Sequence, residues 1–509
     1  MTVPEYLRAF VVILFLSGLT FVTVRKPVIA LGMAAEDFAR RRNVWLVVTG
    51  AAFLAHNFWV FTLVLIPVLL YARQRERQPF ALYLFVLFAV PPFGSALSGL
   101  GIVNQLFELS FPRLLSLLVL LPWALSRRSA DAPRIGKMLA DWLLLGYVML
   151  QLYQQWQVDT TTNTMRYGLY AFLDVLLPFY VASRSVRTTA ARREALLSLV
   201  VAALLMAPIA AFEFSKHWLL YSSLPDALGM NWNGGSYLGR GQTLRAVVTT
   251  GHSISLGYVM MIAMLVHLAL RRIVPQSRVW TFGMIGLLIG LIASVSRGPW
   301  VGALVGVIVF AASGPRPGTR LLKLAGAGIA VAVAVMISPW GSSLIDYLPF
   351  IGHVDSSNVD YRQRLFELSL LVISQNPLLG SPTFMFAAPL QELRNGNLID
   401  IVNTYLMVAL QSGYVGLALF VGVFAKAGFS IIAALRVQPD REAEPFQQGR
   451  VLLSALAAIM VAIATLSPVG FVPLMYWCIV GLSLGYADAV RRQSPAVQVG
   501  LSRFATRSL

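Results

Sequence analysis

Long apolar runs recur from one end of this 509-residue chain to the other. Many of them contain the roughly 17–25 residues that a helix needs to cross a hydrocarbon core about 30 Å thick. Backbone in lipid has no water to bond with, so segments that cross it must be helices. Only 12% of the residues are charged, about half the share in an ordinary soluble domain. The sequence therefore predicts an all-α, polytopic integral membrane protein.

The pattern of apolar runs predicts about 12–14 transmembrane helices. No internal repeat, Gly/Ser linker or low-complexity tract separates them, so we interpret residues 1–509 as a single transmembrane helical domain. The first run has no convincing small-residue cleavage site, and we expect it to be a span. The expected spans are 8–31, 44–71, 79–92, 108–126, 138–155, 167–183, 195–212, 247–270, 279–295, 299–313, 322–338, 401–424, 450–467 and 473–487.

The positive charges lie in short clusters between the apolar runs. The formal net charge is +18, but no basic stripe or nucleic-acid-binding motif accompanies it, so we do not expect a nucleic-acid partner. Most clusters fall on one side, which the positive-inside rule assigns to the cytoplasm, together with both termini. The cluster at 40–42 is an exception, because this arrangement places it outside. We expect a multi-pass protein of the bacterial inner membrane.

Two long, polar and aromatic-rich loops, at 213–246 and 339–400, then face the periplasm. The positive-inside rule predicts few cations there, so arginines at this side are informative. A guanidinium group matches the paired oxygens of a phosphate or pyrophosphate. Snorkelling toward headgroups or pairing with nearby acids is the alternative role. The candidate substrate-binding arginines are Arg245, Arg297, Arg362 and Arg364.

A carboxylate or an imidazole on the same side could remove a proton from a hydroxyl nucleophile. The candidates are Asp400 and His252. Asp400 precedes Asn403 by three residues, so both could share one helix face at the start of the next span. Asp400 could instead stabilise the helix N-terminus, and His252 could be structural. One cysteine and the lack of a Gly-rich phosphate loop or Cys/His spacing predict no metal site or cofactor.

Three segments form an ordered set in the second half of the chain. The first, at 287–306, contains Ser-Arg297-Gly-Pro-Trp, and the second, at 362–380, ends in Asn-Pro-Leu-Leu-Gly. In the third, at 402–417, Asn403 is followed by Gly413 at a spacing of ten residues. Their motifs, order and spacing resemble those of the O-antigen ligase/polymerase (Wzy-C) superfamily.

The resemblance implies a helical glycosyltransferase that takes glycan from undecaprenyl pyrophosphate at the outer leaflet, without a metal. Family arginines at the positions of Arg297 and Arg362 would bind the pyrophosphate or sugar, and Arg245 would match a third. Asn403 lies in the family's third motif and is a further candidate for substrate binding. The other implied partners are membrane lipid, a chain-length regulator and an export complex.

One position departs from the family pattern. Family ligases carry a histidine, the expected acceptor base, where this chain has Val402. Valine cannot accept a proton, and Asp400 is the nearest substitute. We therefore favour an exopolysaccharide or O-antigen polymerase over a ligase acting on lipid A-core. A transporter or flippase for lipid-linked sugar is the alternative of another class, and it predicts charges deep inside spans and broken helices in corresponding halves.

Overall fold

The computed structural model describes residues 3–99, 105–126, 133–230, 237, 239–240, 243–271, 277–338, 356–394 and 399–493. The described residues are 77% helical, which confirms the all-α prediction. Seven helices are long and apolar enough to cross a membrane, and four shorter apolar helices accompany them among the described residues. These findings confirm a polytopic architecture, while the expected number of 12–14 spans stays a prediction. Parts of both predicted loops, including 339–355 and 395–398, lie outside the described residues.

The first half of the chain contains ten helices and one β-hairpin in its described part. Two π-helical turns, at Ser116–Leu120 and Phe172–Leu176, join α5 to α6 and α8 to α9. The elements are α1 (Glu5–Ala30), α2 (Ala35–Leu54), α3 (Phe58–Gln74), α4 (Pro79–Val86), β1 (Gly94–Ser98), β2 (Gln105–Ser110), α5 (Phe111–Leu115), α6 (Leu121–Ser126), α7 (Leu139–Val158), α8 (Thr161–Ala171), α9 (Leu177–Ser185) and α10 (Thr189–Lys216).

The second half is again helical in its described part, with one short strand pair. Two 3₁₀ turns, Val248–Thr250 and Phe384–Phe386, lie in its connections. The elements are α11 (Leu224–Ala227), β3 (Gly239–Arg240), β4 (Thr243–Leu244), α12 (Ser253–Leu270), α13 (Ser277–Ala293), α14 (Arg297–Ala312), α15 (Pro317–Ile337), α16 (Ser356–Gln375), α17 (Ala388–Gln391), α18 (Thr404–Arg436), α19 (Glu444–Ile463) and α20 (Val472–Gln493).

The prediction of one span at 44–71 is wrong, because the segment contains a helical hairpin. Helix α2 ends at Leu54 and α3 begins at Phe58. The Asn57 side chain caps α3 by accepting hydrogen bonds from the backbone N–H groups of its second and third residues. His56, with φ of 52°, reverses the chain between the helices. Both flanks of this turn are apolar, so hydropathy alone merged them.

The hairpin adds one crossing and reverses the orientation of α1. Arg41 in α2 binds Glu76, just after α3, at 2.7 Å and also binds Glu194 near the start of α10. The basic cluster at 40–42 therefore lies with the basic clusters around residues 73–77 and 184–193. We call this side of the helix bundle the basic end and the opposite side the site end.

The beginning of α1 lies at the site end. The indole N–H of Trp218, which follows α10, donates to the Glu5 carboxylate at 2.8 Å, and the Tyr6 hydroxyl lies 3.0 Å from His56 Nε2. The prediction that both ends of the chain lie on the basic side is therefore wrong for the N-terminal residues. The exception to the positive-inside pattern at 40–42 disappears with this correction.

Helix α14 packs closely against α19 along a stripe of glycines at 298, 302 and 306. A Cβ atom on Gly302 would lie only 2.9 Å from the Ala458 carbonyl oxygen. The Ser454 hydroxyl donates to the Gly306 carbonyl at 2.6 Å. Small residues allow helix backbones to approach in a membrane, where van der Waals packing drives association. This stripe sets the position of the N-terminus of α14 relative to the loop after α19.

Helix α18 is broken at Gly413, whose φ and ψ are 61° and −167°. The turn at 377–381 fills the break, since Tyr414 N–H donates to the Pro377 carbonyl at 2.8 Å. A Cβ atom on Gly380 would lie 2.5 Å from the Gly413 nitrogen. Buried Gln154 of α7 donates to the Gln411 carbonyl at 2.7 Å. Protein groups thus satisfy backbone that the break frees, as a membrane protein requires.

Candidate functional site

Six of the seven predicted site residues lie together at the site end, where α12, α14 and α18 begin. The charges of Arg245 and Asp400 both shift the pKa of His252. The charges of Arg297 and Asp400 both shift the pKa of Arg362. Asn403 is the residue that immediately precedes α18. We call Arg245, Arg297 and Arg362 the arginine cluster.

Arg245 is held in place by its neighbours in the turn before α14. Its Nη2 donates to the Ser296 hydroxyl at 2.9 Å, and its Nε lies 3.4 Å from the Ser294 carbonyl oxygen. The backbone next to it is fixed as well, because Ala246 N–H donates to the Ala293 carbonyl at 3.0 Å. These bonds join the end of the first large loop to the turn that carries Arg297.

A buried carboxylate, Glu213, anchors the segment that follows Arg245. Glu213 is 0% exposed and lies in the last turn of α10. It accepts backbone hydrogen bonds from Leu220 at 3.0 Å and from Val247 and Val248 at 2.9 Å each. Val248 has a φ of 50°, which is rare for a β-branched residue and needs such support. Glu213 was not among the predicted site residues, although an acid at the end of an apolar run is costly unless it has partners.

Arg297 is the first residue of α14, in a corner that several side chains fix. Trp300 Nε1 donates to the Leu291 carbonyl at 2.9 Å across the corner, and Val295 turns the chain with a φ of 45°. A Cβ atom on Gly298 would collide with the Thr465 hydroxyl. The first four N–H groups of a helix have no intrahelical partner, so Pro299 costs no hydrogen bond there. The Ser-Arg-Gly-Pro-Trp motif therefore holds Arg297 in one place.

Arg362 and Arg364 lie on different faces of α16. Arg362 is exposed at the surface, and partial desolvation lowers the pKa of its guanidinium; neighbouring Arg297 lowers it further, and Asp400 raises it. Two residues further on, about 200° around the helix, Arg364 is half exposed and donates to Glu392 at 2.8 Å. The structure therefore brings Arg362 into the arginine cluster and pairs Arg364 with an acid on the outer surface.

Asp400 lies in the non-helical segment just before α18, held from two sides. Ser467, from the loop before α20, donates its hydroxyl to Asp400 Oδ1 at 2.6 Å. The Tyr361 hydroxyl donates to the Asp400 carbonyl at 3.0 Å, next to Arg362 in α16. Ser467 and Tyr361 were not among the predicted site residues, because they are distant in sequence from Asp400 and have no charge. Together they place the carboxylate beside the arginine cluster.

Asn403 caps α18, which corrects the prediction that Asp400 and Asn403 share a helix face. The helix begins at Thr404, so both residues precede it. Asn403 Oδ1 accepts hydrogen bonds from the backbone N–H groups of the second and third helical residues at 2.9 and 3.2 Å. An asparagine at this position satisfies donors that a helix start leaves open. Its side-chain amide N–H groups are the part that a substrate could use.

The hydrogen bonding of His252 fixes its tautomer. Its Nδ1 accepts from the backbone N–H of Ile254 at 3.2 Å. A backbone N–H can only donate, so neutral His252 carries its proton on Nε2. Burial lowers the pKa of His252 and Arg245 lowers it further, while Asp400 acts in the opposite direction. The neutral ring is thus a hydrogen-bond donor at Nε2, and Asp400 is the better placed proton acceptor of the two candidates.

Acidic side chains that could share a cation form one group among the described residues, and it is remote from this site. The group is Asp37, Glu76 and Glu194, at the basic end. Arg40 and Arg41 bind these carboxylates. In the described part of the site end, the cationic side chains near Asp400 are the arginines.

Comparison with known proteins agrees with this geometry. Residues 282–421 match the family model described as O-Antigen ligase. The matched region contains the Arg297 corner, helix α16 and the broken start of α18, in the predicted order. No curated protein matches the chain. The family's members are glycosyl-transferring enzymes, and the match confirms the resemblance seen in the sequence. Residues 282–421 of this multi-pass membrane protein thus form a region that matches the O-antigen ligase family and supports a relationship to the O-antigen ligase/polymerase superfamily.

Proposed function

We propose that this chain is a polysaccharide polymerase, which joins oligosaccharide repeat units carried on undecaprenyl pyrophosphate. The observation that carries the proposal is the meeting of three guanidinium groups with one hydrogen-bonded carboxylate, Asp400, at one end of the helix bundle. Guanidinium groups suit a pyrophosphate, and a carboxylate suits an acceptor hydroxyl. Family membership supports glycosyl transfer from a lipid-linked glycan.

The same arrangement supports a periplasmic site in the inner membrane. The positive-inside rule assigns the basic end to the cytoplasm. The arginine cluster is at the opposite end, beside the described part of the 339–400 loop. A lipid-linked donor would then approach from the outer leaflet, with its pyrophosphate at the membrane surface and its glycan in the periplasm.

In the proposed reaction, the acceptor hydroxyl oxygen attacks the anomeric carbon of the donor sugar. A new glycosidic C–O bond forms as the bond from this carbon to the pyrophosphate oxygen breaks. Asp400 takes the hydroxyl proton, and undecaprenyl pyrophosphate leaves with the bonding electron pair. The arginine cluster stabilises the negative charge that develops on the leaving group. In this scheme the arginine cluster, and not a metal ion, stabilises the leaving group. Activity should therefore persist in excess EDTA.

The choice of polymerase rests on Val402. Family ligases have a histidine at this position, and a valine side chain has no lone pair with which to accept a proton. Asp400 is two residues away, and its carbonyl accepts from Val402 N–H at 3.1 Å. A ligase acting on lipid A-core is the second candidate, because the matching model is described as O-Antigen ligase. In such a ligase, Asp400 would take the role of the missing histidine.

A transporter of lipid-linked sugar has less support. That alternative predicts charges deep inside spans and broken helices in corresponding halves, where the freed backbone groups line a substrate cavity. The break in α18 is instead filled by the turn at 377–381 and by Gln154. Arg297 and Asp400 lie at the start of α14 and just before α18, as they would in an enzyme that works at the membrane surface.

The test is an assay of products from purified protein in nanodiscs. Undecaprenyl-pyrophosphate oligosaccharide from the host is supplied alone or with lipid A-core. A ladder of lengthened lipid-linked glycan from the donor alone supports the polymerase. Glycan that appears only on lipid A-core would replace it with the ligase, and neither product would reject glycosyl transfer by this chain. Asp400→Asn, which keeps the side-chain shape, should lower the rate about 100-fold or more.

A further inference from the structure

A cavity of about 410 Å³ opens beside His252, and it is not made by the family-matched segment. Its walls come from β2, α5, the π turn before α9, the residues before α12 and the loop leading into α20. All of them lie outside residues 282–421. The volume falls within the range of about 300–1,000 Å³ that is usual for small-molecule sites. The cavity therefore extends the site into a part of the chain to which no role has been assigned.

The polar groups of this cavity differ from those of the arginine cluster. Arg113 Nε binds Asp174 at 3.0 Å, and Arg113 Nη1 donates to the Glu108 carbonyl at 2.9 Å. The guanidinium also stacks over the Tyr170 ring, 3.7 Å from its centroid. The side chains of Glu108 and Asp174 are 50% and 32% exposed, so both retain surface for a ligand. The cavity thus combines two carboxylates with one already engaged cation.

These polar groups indicate which part of a lipid-linked glycan the cavity could bind: the pyrophosphate, the polyprenyl chain or a sugar. Two carboxylates against one paired arginine disfavour a pyrophosphate, by like-charge repulsion. A polyprenyl chain would cover the carboxylates without giving them hydrogen bonds, which is costly. A sugar supplies hydroxyl donors for the carboxylates, which are acceptors only, and C–H faces for apolar walls such as Phe471 and Pro473. An uncharged, hydroxyl-rich ligand fits best.

We propose that this cavity binds the terminal sugar of the acceptor glycan, held by Glu108 and Asp174 and by a hydrogen bond from His252 Nε2. The inference rests on the proposed glycosyl transfer and adds the acceptor subsite to it. His252 lines the cavity and also interacts electrostatically with Arg245 and Asp400. A sugar seated there is next to the donor site and the proton acceptor. The first half of the chain then sets acceptor specificity, while the matched segment binds the donor.

The test measures binding separately from turnover. The probe is the host's repeat-unit oligosaccharide, released from its lipid pyrophosphate by mild acid, and it is titrated into full-length protein in nanodiscs. Asp174→Asn and Glu108→Gln should each weaken its binding about tenfold. Arg297→Ala should bind it as the wild type does, and inorganic pyrophosphate should not displace it. Glu367→Gln, an exposed acid on α16, serves as the matched control.

The outcomes separate the cavity from the reaction. Wild-type affinity in both cavity variants, or displacement of the oligosaccharide by inorganic pyrophosphate, would overturn the acceptor subsite. Weakened binding that is equal in Arg297→Ala and in the cavity variants would also overturn it, because the sugar would then sit on the arginine cluster. If size-exclusion chromatography shows that Asp174→Asn is misfolded, the binding result for Glu108→Gln tests the proposal, because the Glu108 side chain is half exposed and its replacement should not disturb the fold. Oligosaccharide binding that depends on Glu108 in a protein that makes no ladder would keep the subsite and reject the polymerase.

Discussion

Arginines at the two ends of the helix bundle have different surroundings. At the basic end, Arg41 is fully buried between the carboxylates of Glu76 and Glu194, which come from outside its own helix. Arg184 is similarly buried and binds Asp141 at 2.7 Å. At the site end, Arg245 is held by a serine hydroxyl and a backbone carbonyl, beside the turn that carries Arg297. At the basic end acid pairs tie helices together, whereas at the site end the bonds of Arg245 hold it against the turn that carries Arg297.

The largest expected effect is a difference in polymer formation between alanine variants of two arginines in α16. Arg362→Ala removes a guanidinium that lies near Arg297 and Asp400, and should lower polymer formation about 100- to 1,000-fold. Arg364→Ala removes an exposed ion pair, which contributes at most about 1 kcal/mol, and should change the rate less than about twofold. Initial rates from the nanodisc assay compare the two. Equal losses of rate in the two variants would mean that the position of an arginine on one face of α16 or the other does not determine its contribution to activity.

At the basic end, loss of an acid should reduce stability and leave chemistry intact. Glu76→Gln removes a carboxylate that binds buried Arg41, so we expect a cost of about 3 kcal/mol in the free energy of unfolding. Glu194 remains as a partner and limits the loss. Thermal unfolding followed by size-exclusion chromatography measures the change. A variant of normal stability, or one whose folded fraction has lost activity, would remove the contrast between the ends.

The broken helix offers a test of similar design with a smaller effect. Gly413→Ala places a Cβ atom against the Leu378 carbonyl at a φ of 61°, and should cost about 1–3 kcal/mol of stability. Gly428→Ala lies in the same helix, α18, with no atom within 4 Å of the new Cβ. It should be neutral or slightly stabilising, because alanine favours helix more than glycine does. Melting temperatures that fall equally would show that the turn at 377–381 does not depend on Gly413.

The smallest expected effect concerns the two roles of His252. His252→Ala loses the cap of α12 and should cost about 1 kcal/mol of stability, whereas His252→Asn keeps a capping side chain and should cost little. Both variants lose the Nε2 donor and should weaken use of the acceptor to the same extent. Thermal unfolding and acceptor titration separate the two roles. Full activity in His252→Asn would restrict this residue to capping.

The membrane class and part of the site were predictable from the sequence because they depend on local features. Low charge and apolar length require helices in lipid, and the Ser-Arg-Gly-Pro-Trp corner is contiguous. The same helical spacing also separates Arg362 from Arg364, although both were predicted to bind substrate. Asn57, as a capping residue beside His56, was the available sign of the turn inside 44–71.

The remaining features depend on pairing between distant parts of the chain. Ser467 bonds to Asp400 across 67 positions, and Gln154 reaches Gln411 across 257 positions. Neither pair shares a periodicity or a charge pattern. The glycines at 380 and 413 were visible as motif positions, but their mutual packing follows only from the fold. The cavity beside His252 is likewise made by segments far apart in sequence.

The central claim is that the arginine cluster binds the pyrophosphate of a lipid-linked glycan donor, and Arg297 tests it most directly. Lysine keeps the charge and loses the forked geometry of a guanidinium, so a comparison of alanine and lysine isolates both properties. The measurement is the gel ladder from purified wild-type, Arg297→Lys and Arg297→Ala proteins with undecaprenyl-pyrophosphate oligosaccharide. We expect no ladder from Arg297→Ala, a weak ladder from Arg297→Lys and normal folding of both. A ladder of wild-type length and yield from Arg297→Ala would contradict the account.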